Sequence, residues 1–233
     1  MNAAAAPCEF APVTDGGRVV GTVRLTGDRP AGRADTTVTV DESVCGAAVP
    51  DESLLVDDAG GVRNAVVVLH GVTRGKPIPA DALVDNAHCR FSPRVQIAPR
   101  GRPLRIRNSD AILHNAHAFL VGPTEESIAN FALANAGQTM DLERRLTGRL
   151  PAEGEAVVRL GCDVHPWMVG WVVVVDHPYA AVTAADGTFE IDDVPPGTYT
   201  AAVWHERLGK MERPVTVTTG SAAHVEVAFP PAH

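Results

Sequence analysis

One short stretch of the chain, GCDVHPWM at residues 161–168, constrains the fold more than any other feature. It places the thiol of Cys162, the imidazole of His165 and the thioether of Met168 at intervals of three residues, so one tight loop can bring all three to a single ion. Soft sulfur together with imidazole is the ligand set that selects copper. For a chain with 4 Cys, 9 His and 4 Met, only roughly 0.003 such matches are expected by chance. The stretch predicts a metal-binding loop, but it does not supply a fourth ligand.

The remaining sequence predicts a framework that is β throughout. Short runs rich in β-branched residues alternate with turn residues, and 18 Pro and 21 Gly separate them, which is typical of an all-β sandwich. Residues 99–103 (PRGRP) predict a hairpin or a bulged turn. Residues 125–136 predict the single helix, because two apolar side chains lie three residues apart there. The predicted strands are residues 18–25, 37–40, 65–69, 95–97, 104–107, 157–160, 171–175, 188–191, 199–205, 215–218 and 224–229.

Charge and hydropathy exclude some classes of partner. The net charge is −8 and there is no basic run, which argues against nucleic acid as the main partner. No run approaches the roughly 18 apolar residues of a membrane span, so no transmembrane segment is expected. The first twelve residues lack the basic and apolar regions of a signal peptide. Residues 1–15 are therefore predicted to be an unstructured leader, and Cys8 is a candidate for a lipid anchor.

A further ligand is predicted upstream of the loop. His114 comes shortly after the predicted strand at residues 104–107, and residues at strand ends often belong to functional sites. This imidazole, together with Cys162 and His165, would form a plane of two nitrogens and one sulfur with a weak axial thioether. The side chain of Asn115 could tie the two loops together and orient the ligands. A surface histidine at position 114 and an ordinary turn residue at position 115 remain alternatives.

Residues from about 91 to 175 resemble the cupredoxins, the blue copper proteins, and most closely the amicyanin-like members with a short copper loop. The resemblance lies in residues that recur in the same order along the chain: Pro93, Gly101, Asn108, the run His114-Asn115-Ala116-His117, and the run from Cys162 to Met168 that leads into a Val-rich strand.

The resemblance implies a Greek-key cupredoxin sandwich with one type 1 copper ion. It also implies that redox protein partners dock near His165, whose imidazole edge would be exposed, with Pro166 and Trp167 as an apolar rim. Such redox interfaces are small and transient. The position of His117 is not a ligand in that family. The implied copper ligands are His114, Cys162, His165 and Met168.

The two ends of the chain resemble a second kind of domain. Residues 183–199 (TAADGTFEIDDVPPGTY) match the pattern of carboxypeptidase regulatory-like, or transthyretin-like, β-sandwiches, and residues 17–23 look like the opening strand of the same kind of domain. About fifty residues are too few for a complete sandwich. We therefore predict one smaller sandwich built from both ends, with three consecutive modules as the alternative. The predicted segments are a leader at 1–15, an N-terminal β segment at 16–80, a copper domain at 81–176 and a sandwich portion at 177–233.

The other cysteines bear on the compartment. Cys45 lies in a glycine-containing loop and Cys89 opens the copper domain, so these two are predicted to form a disulfide in an oxidising compartment. That pairing predicts a periplasmic or secreted protein and leaves Cys8 without a partner.

Three functions are compatible with these residues. The first is single-electron transfer between redox partners through a copper ion. The second is a Cu(I) carrier or store, and the third is a structural or binding β-sandwich with an incidental metal site. An enzyme is not expected, because a multicopper oxidase has histidines flanking its cysteine, whereas Gly161 and Asp163 flank Cys162. The sequence also offers no Ser-His-Asp or paired-carboxylate constellation.

Overall fold

A computed structural model describes residues 9–27, 33–78, 81–152 and 154–231. Among these residues, no helix is long and apolar enough to cross a membrane. Cys8, and with it the predicted lipid anchor, lies outside the described residues. Nearly all of the regular structure is β, as predicted: β1 Glu9–Phe10, β2 Gly17–Leu25, β3 Thr36–Thr37, α1 Glu42–Cys45, β4 Ala48–Val49, β5 Val66–His70, β6 Arg74–Gly75, β7 Ala82–Ala87, β8 Arg90–Ser92, β9 Val95–Pro99, β10 Leu104–Asn108, β11 His114–Leu120, β12 Glu126–Leu133, β13 Thr139–Asp141, α2 Glu143–Leu146, β14 Ala156–Gly161, β15 Val169–Val175, β16 Ala180–Val182, β17 Thr188–Val194, β18 Gly197–His205, β19 Gly209–Val217 and β20 Ala222–Phe229.

The chain divides into two compact units. Unit 1 comprises the described residues within 1–33, 52–78 and 177–233, and unit 2 comprises those within 34–51 and 79–176. The first and the last described residues therefore both lie in unit 1. The sequence placed residues 34–51 in the N-terminal segment 16–80, but they fold with unit 2, where a disulfide joins Cys45 to Cys89. We call residues 34–51 the strap.

Unit 1 is a β-sandwich of a four-stranded and a three-stranded sheet. The orders are β16-β5-β18-β19 and β17-β2-β20, and β2 pairs in parallel with β20. Valines that alternate along the strands meet in one core, with Val19 and Val225 from the smaller sheet and Val67 and Val203 from the larger. The predicted leader is not wholly unstructured, because β1 pairs with β6.

Unit 2 is a sandwich of a five-stranded sheet, β12-β11-β14-β15-β9, and a four-stranded sheet, β13-β10-β7-β8. Two pairs are parallel, β15 with β9 and β10 with β7. The core takes Leu104 and Ile106 from one sheet and Val158 and Val172 from the other. Both units are thus β-sandwiches, and the all-β class that the sequence predicted is confirmed.

Three local predictions were wrong in whole or in part. Residues 125–136 do not form a helix, because β12 completes the edge of the five-stranded sheet by pairing with β11, and this long-range pairing overrides the helical spacing. Residues 99–103 do form a turn, in which the N–H of Arg102 donates to the carbonyl of Pro99 over 3.3 Å, but the predicted hairpin is absent because β9 and β10 belong to different sheets. Of the strand predicted at residues 37–40, only Thr37 is in a strand, the two-residue β3.

Candidate metal centre

The loop at residues 162–168 connects two neighbouring strands. Cys162 follows β14 directly and Met168 precedes β15, and these strands are antiparallel partners in which Gly161 lies opposite Val169. The backbone N–H of Met168 donates to the carbonyl of His165 over 2.9 Å, which closes a tight turn. The loop is therefore short and turns back on itself, which keeps its three candidate ligands close together.

His114 reaches the same end of the sheet because β11 is the other neighbour of β14. Its Nδ1 lies 3.0 Å from Nδ1 of His165, and Sγ of Cys162 lies 3.7 Å from the same Nδ1 of His165. All three donor atoms lie within 4.8 Å of one another. The side chains are buried, with 0% of each histidine and 4% of the cysteine exposed.

These donors suit a soft metal ion. Cys162 is a free thiol, and Met168 is buried in the same hydrophobic core. For zinc, ligand bonds are about 2.0–2.1 Å to nitrogen and about 2.3 Å to sulfur, and separations of 3.0 and 3.7 Å between donors are compatible with bonds of this length to one ion. Two imidazoles, a thiolate and a weak thioether are the blue-copper set. The residues present fit copper.

Each imidazole is held on its outer side by a carboxylate. Nε2 of His114 is 2.9 Å from Oδ2 of Asp110, and Nε2 of His165 is 3.0 Å from Oδ2 of Asp41. An N–H donated to each carboxylate places the proton on Nε2 and leaves Nδ1 facing the cluster with its lone pair. Burial lowers the pKa of His114, which favours the neutral imidazole that binds metal.

Asp110 is itself held in place by the backbone. The N–H groups of His88 and Cys89 donate to its two carboxylate oxygens over 2.8 and 2.9 Å. Burial alone would raise the pKa of Asp110, but these two hydrogen bonds and the contact with His114 together lower it. Asp110 is therefore an ionised acceptor for the N–H of His114.

Asn115 forms contacts with both loops. Its backbone N–H faces Sγ of Cys162 over 3.4 Å, and the thiol of Cys162 lies 3.2 Å from its Oδ1. The same Oδ1 accepts the backbone N–H of Asp163 over 2.6 Å, and its Nδ2 donates to the carboxylate of Asp163 over 3.0 Å. These bonds fix the sulfur relative to β11.

The ring nitrogens of His117 contact residues outside the cluster. Its Nδ1 lies 2.9 Å from Asp163 and its Nε2 lies 2.8 Å from Ser127, so both ring nitrogens have partners. A second group of potential ligands, Cys89 with Asp110 and His114, lacks a free thiol because Cys89 is in the disulfide. The two sulfurs of that predicted disulfide lie 1.99 Å apart.

The structure differs from the prediction at the outer edge of His165. We expected that edge to be exposed for docking, but the side chain is fully buried and Asp41 of the strap covers Nε2. The rim residues lie beside it, with Pro166 exposed and Trp167 half-buried. The Trp167 ring centroid is 5.2 Å from that of His165.

The sequence missed both carboxylates. Asp110 lies four residues before His114, so it could have been found by asking what binds the outer nitrogen of a ligand histidine. Asp41 lies 124 residues from His165, and it is in no motif. Only the fold brings it to the site.

Unit 2 is thus a β-sandwich with a buried cluster of two histidines and one cysteine. Structural comparison retrieves a copper-containing nitrite reductase from Thermus scotoductus SA-01 at 21% identity and TM-score 0.29, covering 45% of this chain and only 24% of that one. A purple cupredoxin from Nitrosopumilus maritimus matches at 24% identity and TM-score 0.32, covering 41% of this chain and 99% of that one. An amicyanin variant in its reduced state matches at 19% identity and TM-score 0.29, covering 40% and 81%.

Sequence comparison adds one family. The profile of polysaccharide lyase family 4, domain II, matches residues 169–225, which is less than half of the chain and lies mostly in unit 1. This is not the carboxypeptidase regulatory-like family that the sequence pattern indicated. Comparison with curated proteins gives no match.

Proposed function

We propose that this chain binds one copper ion and transfers single electrons between redox partners. The residues that would hold the ion are His114, Cys162 and His165, and Met168, buried in the same core, would be a fourth, weaker ligand. The observation that carries the proposal is a buried cluster of three donor atoms, each within 4.8 Å of the others, with both imidazoles turned inward by carboxylates.

The chain's own residues prepare the site for that role. Copper, when bound, supplies the one-electron couple. Cys162 supplies the thiolate, which the backbone N–H of Asn115 faces, and Met168 tunes the potential as a weak ligand. Because hydrogen bonds from both loops hold the donors in a water-excluding core, the ligands need little rearrangement when the charge of the site changes.

Burial favours electron transfer over the Cu(I) carrier. A carrier passes its ion to another protein through ligands that the recipient can reach, whereas both histidines here are fully buried and Cys162 nearly so. A structural module with an incidental site does not account for two carboxylates that orient two imidazoles. We propose electron transfer rather than catalysis, because Gly161 and Asp163, and not histidines, flank Cys162.

The proposed compartment, partners and family resemblances rest on sequence patterns and on the disulfide. We place the protein in the periplasm or outside the cell, which the Cys45–Cys89 pairing supports because disulfides persist in oxidising compartments. Redox partners dock around the loop, where Pro166 and Trp167 offer apolar surface. The site is amicyanin-like in its short loop, and the carboxypeptidase regulatory-like assignment of unit 1 rests on the pattern of residues 183–199 alone, since the matching profile belongs to another family.

Addition of Cu(II) to the metal-free protein tests the proposal. We expect an intense visible absorption band from the thiolate to Cu(II), and its loss on reduction and return on oxidation. A colourless protein that takes up Cu(I) alone would favour the carrier. Failure to bind either ion would leave the structural module and refute electron transfer.

A further inference from the structure

The strap brings a carboxylate to the outer edge of His165. Oδ2 of Asp41 lies 3.0 Å from Nε2 of His165, and the imidazole is fully buried while 36% of the Asp41 side chain is exposed. The outer nitrogen of His165 is therefore capped by Asp41.

The backbone at Asp41 is shaped for this contact. Its φ of 55° and ψ of 34° are left-handed, a conformation that few residues other than Gly, Asn and Asp adopt. Asp41 precedes the single turn of α1, yet its carboxylate makes no capping bond to that turn. Strained backbone of this kind persists where the surroundings impose it, often at functional sites.

A covalent and hydrogen-bonded chain links Asp41 to the opposite side of the cluster. The N–H of Cys45 donates to the carbonyl of Asp41 over 2.9 Å, and Cys45 is disulfide-bonded to Cys89. The N–H of Cys89 donates to the carboxylate of Asp110, which holds His114. The disulfide thus joins the supports of both imidazoles.

We propose that Asp41 is a positioning residue for His165, held in place by the Cys45–Cys89 disulfide. Asp41 keeps the proton on Nε2, aims Nδ1 into the cluster and closes the imidazole edge to solvent. Its negative charge adds to that of Cys162 and favours the more highly charged Cu(II), so it lowers the reduction potential of the site. This inference rests on the proposed copper function for its metal readouts only.

Two variants at Asp41 suit the left-handed backbone. Asp41→Asn removes the charge and keeps an acceptor oxygen, and Asp41→Gly removes the side chain without adding backbone strain. The matched control is Glu42→Gln, which removes one charge from the exposed neighbour on α1. If the substitutions only destabilised the strap in general, the unfolding temperature would fall by a similar amount in Asp41→Asn and Asp41→Gly.

The first readout needs no metal. Diethyl pyrocarbonate modifies accessible imidazoles, and peptide mass spectrometry locates the product. In the wild type and Glu42→Gln, we expect His165 to react slowly while the exposed His88 and His224 react fast. In Asp41→Gly, His165 should react many times faster while His114 stays protected by Asp110. Unchanged slow reaction in Asp41→Gly, or fast reaction in the wild type, would overturn the capping role.

The second readout is Cu(II) affinity by chelator competition. Loss of such an outer partner costs about 10–100-fold in metal affinity, so Asp41→Gly should weaken binding by this factor. Asp41→Asn should retain more affinity than Asp41→Gly but show a higher reduction potential. Equal affinity and potential in all four proteins would refute positioning. If the wild type forms no thiolate band, the copper function fails, while the metal-free readout still decides the contact.

The disulfide is tested with the double variant Cys45→Ser/Cys89→Ser. We expect His165 in this variant to become as reactive towards diethyl pyrocarbonate as it is in Asp41→Gly. Continued protection of His165 without the disulfide would show that the strap holds Asp41 by other contacts, and would refute that part of the proposal.

Discussion

At the scale of the residue, the role of each histidine depends on what its second ring nitrogen contacts. The two candidate histidines give their outer nitrogens to carboxylates, so only their inner nitrogens are free for an ion. His117 has both nitrogens engaged by Asp163 and Ser127. Histidines close together in the chain are therefore sorted into a ligand and a structural residue by their hydrogen-bond partners.

Cys162→Ser should abolish the visible band. Serine keeps the size and burial of the side chain but cannot form the thiolate–copper bond from which the colour arises. We expect absorption spectra of the Cu(II)-treated variant to lack the band while circular dichroism shows an unchanged β fold. A variant that keeps the colour would show that another ligand carries it.

His117→Ala should leave the band largely intact, because neither nitrogen of His117 faces the cluster. His114→Ala is the matched comparison, since it removes a predicted ligand from the same strand, and it should lose the band. Both are measured by Cu(II) titration at one pH. Loss of colour in His117→Ala together with retention in His114→Ala would reverse the ligand assignment.

At the scale of the element, the parts of the site that can be predicted from the sequence are those whose residues lie close together in the chain. The loop from Cys162 to Met168 could be recognised because its spacing alone brings the donors together. β12 was misread as a helix because Ile128 and Phe131 are three residues apart, and its pairing with β11 is invisible in a local window. The strap carries no motif, so the position of Asp41 follows only from the fold.

The disulfide should stabilise the element that carries Asp41. It closes a loop with a sequence separation of 44, and removal of a native disulfide typically costs about 2–5 kcal/mol. We expect Cys45→Ser/Cys89→Ser to lower the free energy of unfolding of the metal-free protein by about this amount, measured by urea denaturation. Cys162→Ser, which breaks no cross-link, is the control, and equal stability of the double variant and that control would contradict the expectation.

At the scale of the whole molecule, the candidate metal site lies within one unit. The candidate ligands, both carboxylates and Asn115 all belong to unit 2, although the strap is separated from the rest of that unit by residues 52–78. Unit 1 has its own core of alternating valines from two sheets. Although segments of the two units alternate along the chain, all of these residues lie within a single sandwich.

Copper loading should therefore protect the two units unequally. Binding to the native state alone stabilises it by about 2.7 kcal/mol when free ligand is at 100 times Kd, and local opening of the segments that hold the ligands becomes rarer. Hydrogen–deuterium exchange should slow in residues 34–51, 108–117 and 160–170, with little change in β2, β18 and β20 of unit 1. Cys162→Ser treated with the same copper should show neither the added stability nor the slower exchange. Equal slowing in both units of the wild type would contradict a site confined to unit 2, whereas slowing that includes the strap would indicate that Asp41 closes over the loaded centre.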